Sequence, residues 1–215
     1  MKEINIETWN RKNQYNNFIK YSNPIVALGV DLDVTKLLDY CKENNKSFFS
    51  TFLYIITKSI NKFDEWKTRI LDDKIVVYDN THPSYIVLRS DESMVTCVTY
   101  YESSFKKFHD NSRIDIEKAR KDEVLQFNSS SLDYISVSCM SNINFTSFIN
   151  PYNFNDKSQS SIPRIAWGKY HKVDNKYMMP INISAHHALV DGIHFSKLIN
   201  EIENGLDNIK TFLGE

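Results

Sequence analysis

Lys176-Tyr177-Met178-Met179-Pro180-Ile181-Asn182-Ile183-Ser184-Ala185-His186-His187-Ala188-Leu189-Val190-Asp191-Gly192 reads as a strand that runs into a chemical motif and then into a helix. Lys176 to Ser184 has the apolar, partly β-branched character of a strand. If that strand continues into the paired histidines, His186 and His187 point to opposite faces, so only one enters a given site. An imidazole is the side chain best suited to general-base work near neutral pH. Asp191 stands four residues after His187 at the mouth of the last helix, where a carboxylate is favoured by the helix N-terminus. That spacing makes His187 the candidate base. The plain alternative is a pair of strand-end histidines followed by an N-cap aspartate. A base and a fixed carboxylate together at the end of an apolar strand weigh against it. A metal site from His186, His187 and His194 is not expected, because adjacent histidines diverge and no acidic cluster accompanies them. His82, His109, His171 and His194 have no partner pattern and read as structural or exposed.

Working outward, Asp191 to Asn204 predicts a helix with Phe195, Leu198, Ile199 and Ile202 on one face, ending at Gly205. Upstream, Arg164 to Lys172 and Lys176 to Ser184 predict a hairpin turning at Asp174-Asn175. Asp33 reads as the N-cap of a helix carrying Val34, Leu37, Leu38 and Cys41, which stops at Asn44-Asn45. A more apolar helix follows from about Ser50 to Lys62, with Phe52, Leu53, Ile55, Ile56 and Ile60 around much of its circumference. It is expected to be central and buried on more than one side. Lys74 to Tyr78, Ser84 to Leu88, Met94 to Tyr100 and Asp133 to Cys139 read as strands, Glu102 to Leu125 as a helix, Asn128 to Ser131 as a loop, and Pro151 to Ile162 as irregular. No internal repeat is visible. The expected architecture is one α/β domain over residues 1–215, a two-layer sandwich of helices on a mixed sheet.

The chain has 215 residues, a formal charge of −1, 25% charged and 13% aromatic residues, which is a globular composition without a general pull toward nucleic acid. Only five glycines are present, and no Gly-rich phosphate loop occurs. Cys41, Cys97 and Cys139 are widely spaced in apolar runs and read as buried free thiols of a reducing compartment. The N-terminus has no apolar stretch resembling a signal peptide, and no segment reads as a membrane span. The sequence therefore reads as soluble and cytoplasmic.

The chain resembles the chloramphenicol acetyltransferase family over nearly its whole length. Trp9-Asn10-Arg11 looks like the family's Trp-x-Arg, and Asn61-Lys62-Phe63-Asp64-Glu65 like its Asn-x-Phe-Asp/Ser-Glu. Lys74 to Asp79, His82-Pro83-Ser84-Tyr85, Ile135 to Ser138 and Asn144 to Phe148 resemble the strands and approaches that follow. Lys169-Tyr170 and Pro180 also match. The His-His-x-x-x-Asp-Gly motif alone is shared with dihydrolipoamide acyltransferases and peptide-synthetase condensation domains. The former carry lipoyl and linker segments, and the latter are about twice this length. The N-terminal Trp-x-Arg and the total size favour the first family.

The resemblance implies the family's fold, acetyl-CoA as co-substrate without a metal, chloramphenicol as acceptor and antibiotic resistance as outcome. It also implies a homotrimer with each site between subunits. Carried over residue by residue, it makes His187 the general base, Ser138 the donor to the tetrahedral oxyanion, and Asp191 a structural partner of Arg11. Tyr170, Lys169 and Lys46 fall where the family contacts CoA. Phe18, Met94, Thr96 and Phe127 fall at the acceptor pocket. Several positions depart. Ala166 stands where a threonine usually holds a water to the intermediate. Ser141 and Asn142 replace a Pro-Trp that contacts CoA, and Asn17 and Pro24 replace acceptor-lining residues. These departures leave open a same-fold O-acetyltransferase for another hydroxylated acceptor, or a weakly active or non-catalytic relative that binds CoA or another ligand.

Overall fold

The computed structural model describes residues 1–121 and 131–215. In chain order its elements are β1 (Lys2–Glu3), α1 (Lys12–Phe18), β2 (Ile25–Asp33), α2 (Thr35–Glu43), α3 (Phe48–Asn61), α4 (Asp64–Lys67), β3 (Thr68–Leu71), β4 (Lys74–Val77), β5 (His82–Leu88) and β6 (Met94–Val98). They continue as α5 (Phe105–Arg120), β7 (Tyr134–Met140), α6 (Lys157–Ser160), β8 (Arg164–Gly168), β9 (His171–Val173), β10 (Lys176–His186), α7 (Gly192–Asp207) and α8 (Ile209–Leu213). The strands β1, β4 and β3 form a small antiparallel sheet. The large sheet runs β2-β10-β8-β7-β5-β6, with β9 added to β10. It is mixed, as expected: β7 lies parallel to both β5 and β8, and the remaining pairs are antiparallel.

Alternation sorts the sheet into two faces. Ile135 and Val137 of β7, Ile165 and Trp167 of β8, and Ile181 and Ile183 of β10 point into the core beneath α2, α3 and α7. The opposite face carries Ser136, Ser138, Arg164, Ala166, Asn182 and Ser184 in cross-strand rows. Helix α3 is the centre of the core: Phe52, Leu53, Tyr54, Ile55, Ile56 and Ile60 are fully buried, and Trp167 meets Phe52 edge to face. Its buried Thr51, Thr57 and Ser59 hydroxyls donate to the carbonyls of Ser47, Leu53 and Ile55 four residues back, so they cost little there.

Several expectations are corrected. Asp33 ends β2, and its carboxylate accepts from the backbone and hydroxyl of Thr35, so Val34 occupies the N-cap position of α2. Helix α7 does not stop at Gly205 but runs to Asp207, and α8 follows it. Gly205 is there for close approach: a Cβ on it would lie 2.9 Å from Ile55 Cγ2. Cys139 is exposed, unlike buried Cys41 and Cys97. The irregular stretch before β8 contains the one-turn α6, capped by Asp156. The C-terminal part of the helix expected over 102–125, most of the loop expected at 128–131, and Phe127 lie outside the described residues. The sequence reading had no element at β2, the partner of β10 along nine residue pairs from Met178↔Asp33 to His186↔Ile25. It also missed the short α1 and β3. No helix among the described residues is long and apolar enough to cross a membrane.

Candidate active site

Strand β10 delivers the two histidines to different surroundings. His186 is 1% exposed, and its Nδ1 accepts from the Ala188 backbone. Burial, and then the neighbouring His187, push its pKa down to about 4, so it is a neutral structural ring. His187 is half-buried, with its backbone N–H held by the Pro24 carbonyl at 2.7 Å. Its ring stacks on Phe18, with centroids 3.8 Å apart and planes inclined by 18°. Nδ1 of His187 lies 2.9 Å from the Val190 carbonyl. A carbonyl only accepts, so Nδ1 carries a proton, and in the neutral ring Nε2 then keeps its lone pair. That is the tautomer a general base requires.

Asp191 caps α7 and reaches Arg11, with Nη1 and Oδ2 2.5 Å apart. Arg11 is 7% exposed, so the pair ties the N-terminal segment to the turn that presents His187. Burial pushes the Asp191 carboxyl up, but the Arg11 hydrogen bond and the charges of His194 and Arg11 overcome it and hold it below the usual range. His194, read from sequence as having no partner pattern, belongs to this cluster. It is the N3 residue of a capping box, accepting from the Asp191 backbone N–H at 3.0 Å. The sequence signal was available, since an N-cap aspartate with an acceptor three residues on is the capping-box spacing. Histidine in place of the usual Glu or Gln concealed it.

Ser138 is half-buried on β7, in one cross-strand row with Ala166 and Asn182. Ala166 is fully buried, and Asn182 beside it has an Oδ1 without a hydrogen-bond partner among the described residues. The structure does not bring Ser138 to His187. Two strand spacings and five residues of β10 separate them, on the order of 20 Å. His187 also lies beyond the end of β10, in the turn that leads to α7.

At the far end of β8, Phe48, Phe49, Cys139, Ser141, Trp167, Gly168, Lys169, Tyr170 and Met179 line a cavity of about 400 Å³. Two of the three residues expected to contact CoA, Tyr170 and Lys169, therefore lie on one wall, with Tyr170 at 5.9 Å from the Phe48 ring. Lys46 stands two residues before Phe48, and its Nζ lies over Phe105. Phe48, Phe49 and Trp167 form an aromatic lining although Ser141 and Asn142 supply none. The expected acceptor residues are divided. Phe18 is at His187, whereas Met94 and Thr96 sit on the edge strand β6, where Met94 is 72% exposed beside Leu88 and Ile86.

A mixed sheet ending in a histidine-bearing turn, with an apolar cavity at the opposite ends of the same strands, defines a CoA-dependent acyltransferase fold. Residues 1–203 match the family model for chloramphenicol acetyltransferase. A chloramphenicol acetyltransferase of Clostridium perfringens is 32% identical over 218 residues, covering 99% of this chain and 97% of that protein. A solved chloramphenicol acetyltransferase superposes with a TM-score of 0.84 at 24% identity, covering 95% of this chain and 99% of that one. A probable dihydrolipoamide acetyltransferase of Listeria monocytogenes follows the same fold, with a TM-score of 0.70 at 18% identity, covering 97% and 95%. This chain belongs to the chloramphenicol acetyltransferase family.

Proposed function

We propose that this protein transfers the acetyl group of acetyl-CoA to a hydroxyl of chloramphenicol, with His187 as general base. The carrying observation is the contact of His187 Nδ1 with the Val190 carbonyl, which in the neutral ring places the proton on Nδ1 and leaves the Nε2 lone pair free. Nε2 takes the proton of the acceptor hydroxyl as its oxygen attacks the thioester carbonyl. Ser138 donates to the oxyanion of the tetrahedral intermediate, which collapses to the acetyl ester and the CoA thiolate. The imidazolium then returns the proton to the thiolate. Direct transfer needs no acyl-enzyme.

The aromatic cavity suits the pantetheine arm, and Lys169 and Lys46 supply positive charge for CoA phosphates. Phe18, stacked on the base, offers an apolar wall for an aromatic acceptor, and Met94 and Thr96 on β6 would extend it only from a neighbouring chain. Because Ser138 and His187 of one chain are about 20 Å apart, a complete site takes them from two chains. The exposed Ile86, Leu88 and Met94 form an apolar patch of the kind that a neighbouring subunit covers. A homotrimer with sites between subunits satisfies both. A thiol-release assay with acetyl-CoA, with and without chloramphenicol, tests the reading. Release is expected to require chloramphenicol, and His187→Ala is expected to lower kcat by about 10²–10⁴. Robust turnover in that variant would overturn the assignment of the base.

A further inference from the structure

We infer that His194, oriented by Glu65, is a positioning residue for the base, acting on His187 through the single peptide group that joins Val190 to Asp191. The inference rests on His187 being the base. The carbonyl of that peptide accepts from His187 Nδ1 at 2.9 Å, and its N–H donates to His194 Nδ1 at 3.0 Å. One amide therefore sits between two imidazoles. A backbone N–H only donates, so while that bond is made Nδ1 of His194 is bare and a neutral His194 carries its proton on Nε2, although Asp191 Oδ1 also lies 2.9 Å from Nδ1. Nε2 lies 3.5 Å from the Glu65 carboxylate.

The two hydrogen bonds of this series point the same way, from His187 into the peptide and from the peptide into His194, and the Glu65 carboxylate stands beyond Nε2 as a charge. Hydrogen bonds aligned in this manner polarise one another, and a carboxylate at the end strengthens the rest. The result resembles the carboxylate that orients a catalytic histidine, with an amide and a second imidazole interposed. Glu65 ends the Asn61-to-Glu65 segment, which the reaction itself does not use, and Trp66 follows it directly. Trp66 Nε1 donates to the His194 carbonyl at 3.3 Å and its ring meets Phe195 edge to face, fixing the segment against α7.

Histidine at this helix position has a consequence that Glu or Gln would not. A side-chain carbonyl or carboxylate oxygen accepts the N-cap N–H near neutral pH, whereas the imidazole accepts only while neutral. His194 is 8% exposed and is faced by Asp191, Arg11, Glu65 and Lys197. Burial favours its neutral form and, with Arg11 and Lys197, outweighs the two carboxylates. On protonation Nδ1 can no longer accept from Asp191 N–H and turns to Asp191 Oδ1, 2.9 Å away. The peptide then loses the partner on its N–H side.

The test is kcat and KM against pH for the whole enzyme and for His194→Leu, His194→Gln and Glu65→Gln, with ¹⁵N spectra reporting the His187 tautomer. His194→Leu is expected to lower kcat about ten-fold with KM for both substrates within about two-fold, a fraction of what a general base contributes. Both His187 tautomers should then be seen. His194→Gln keeps an acceptor for Asp191 N–H, so it should recover most of kcat and remove one protonation from the acid limb of kcat/KM. Glu65→Gln should move that limb to lower pH, because loss of the carboxylate favours neutral His194. An unchanged acid limb in both His194→Gln and Glu65→Gln overturns the inference even if His194→Leu fails to fold. A folded His194→Leu with native kcat and a single tautomer does so too. His187→Ala separates the two readings: if it stays active the base assignment fails, and if it is inactive while the His194 and Glu65 variants behave as wild type, only the positioning role fails.

Discussion

His186 and His187 share a dipeptide, and their opposite orientations give them opposite work. His187 keeps an accessible ring against Phe18, while His186 is enclosed and has its pKa pushed from 6.5 to about 4. The linkage sign follows. In the window between those values the unfolded chain binds a proton that the folded chain refuses, so folding stability rises with pH there. The contribution of His186 is therefore complete above about pH 6.5 and is lost as pH falls toward about 4, at most about 3 kcal/mol. Denaturant unfolding of the wild type and of His186→Gln across that window checks it: the variant should show a flatter acid decline. An equally steep decline in both would remove His186 as a cause. Asp191 contributes in the same direction, since its lowered carboxyl pKa stabilises the fold above the ordinary carboxylate range and loses that effect as acid protonates it.

Helix α7 and strand β2 show where local pattern suffices and where it fails. The apolar face of α7 and its N-terminus were legible, because Phe195, Leu198 and Ile202 recur at helical spacing and all are buried. Its C-terminus was not. A glycine that ends a helix and a glycine that lets two helices touch look identical in sequence. At Gly205 the second holds, with Ile55 and Phe212 against the bare Cα. Gly205→Ala should accordingly destabilise by about 1–3 kcal/mol through overpacking. A mid-helix Gly→Ala at an open position would instead stabilise by up to about 1 kcal/mol. A raised melting temperature would show that Ile55 and Phe212 yield at little cost. Strand β2 went unread because its residues are mostly half-buried or exposed and give no clear alternation. It is a strand because nine residues of β10 pair with it.

Across the whole molecule, the proposed base and the proposed oxyanion donor sit at different ends of one sheet, which makes assembly part of the chemistry. Neither His187→Ala nor Ser138→Ala chains alone should turn over efficiently. Co-assembled, they should regain activity, because some interfaces then join an intact His187 to an intact Ser138. Mixed oligomers with no more activity than the two parents would place both groups in one chain and sink the intersubunit site. The sequence by itself determined the mixed α/β class, the buried central helix and the motif that presents one of two histidines. These depend on periodicity and spacing along the chain, which local geometry converts directly into faces. It also contained the Arg11–Asp191 pair, though only through family resemblance, since 180 residues separate the partners. Tertiary structure alone decided the tautomer of His187, the recruitment of His194 and Glu65, the aromatic cavity beside Tyr170 and the separation of Ser138 from His187. Each of those depends on which backbone group or strand lies opposite, and long-range pairing sets that with no local signal.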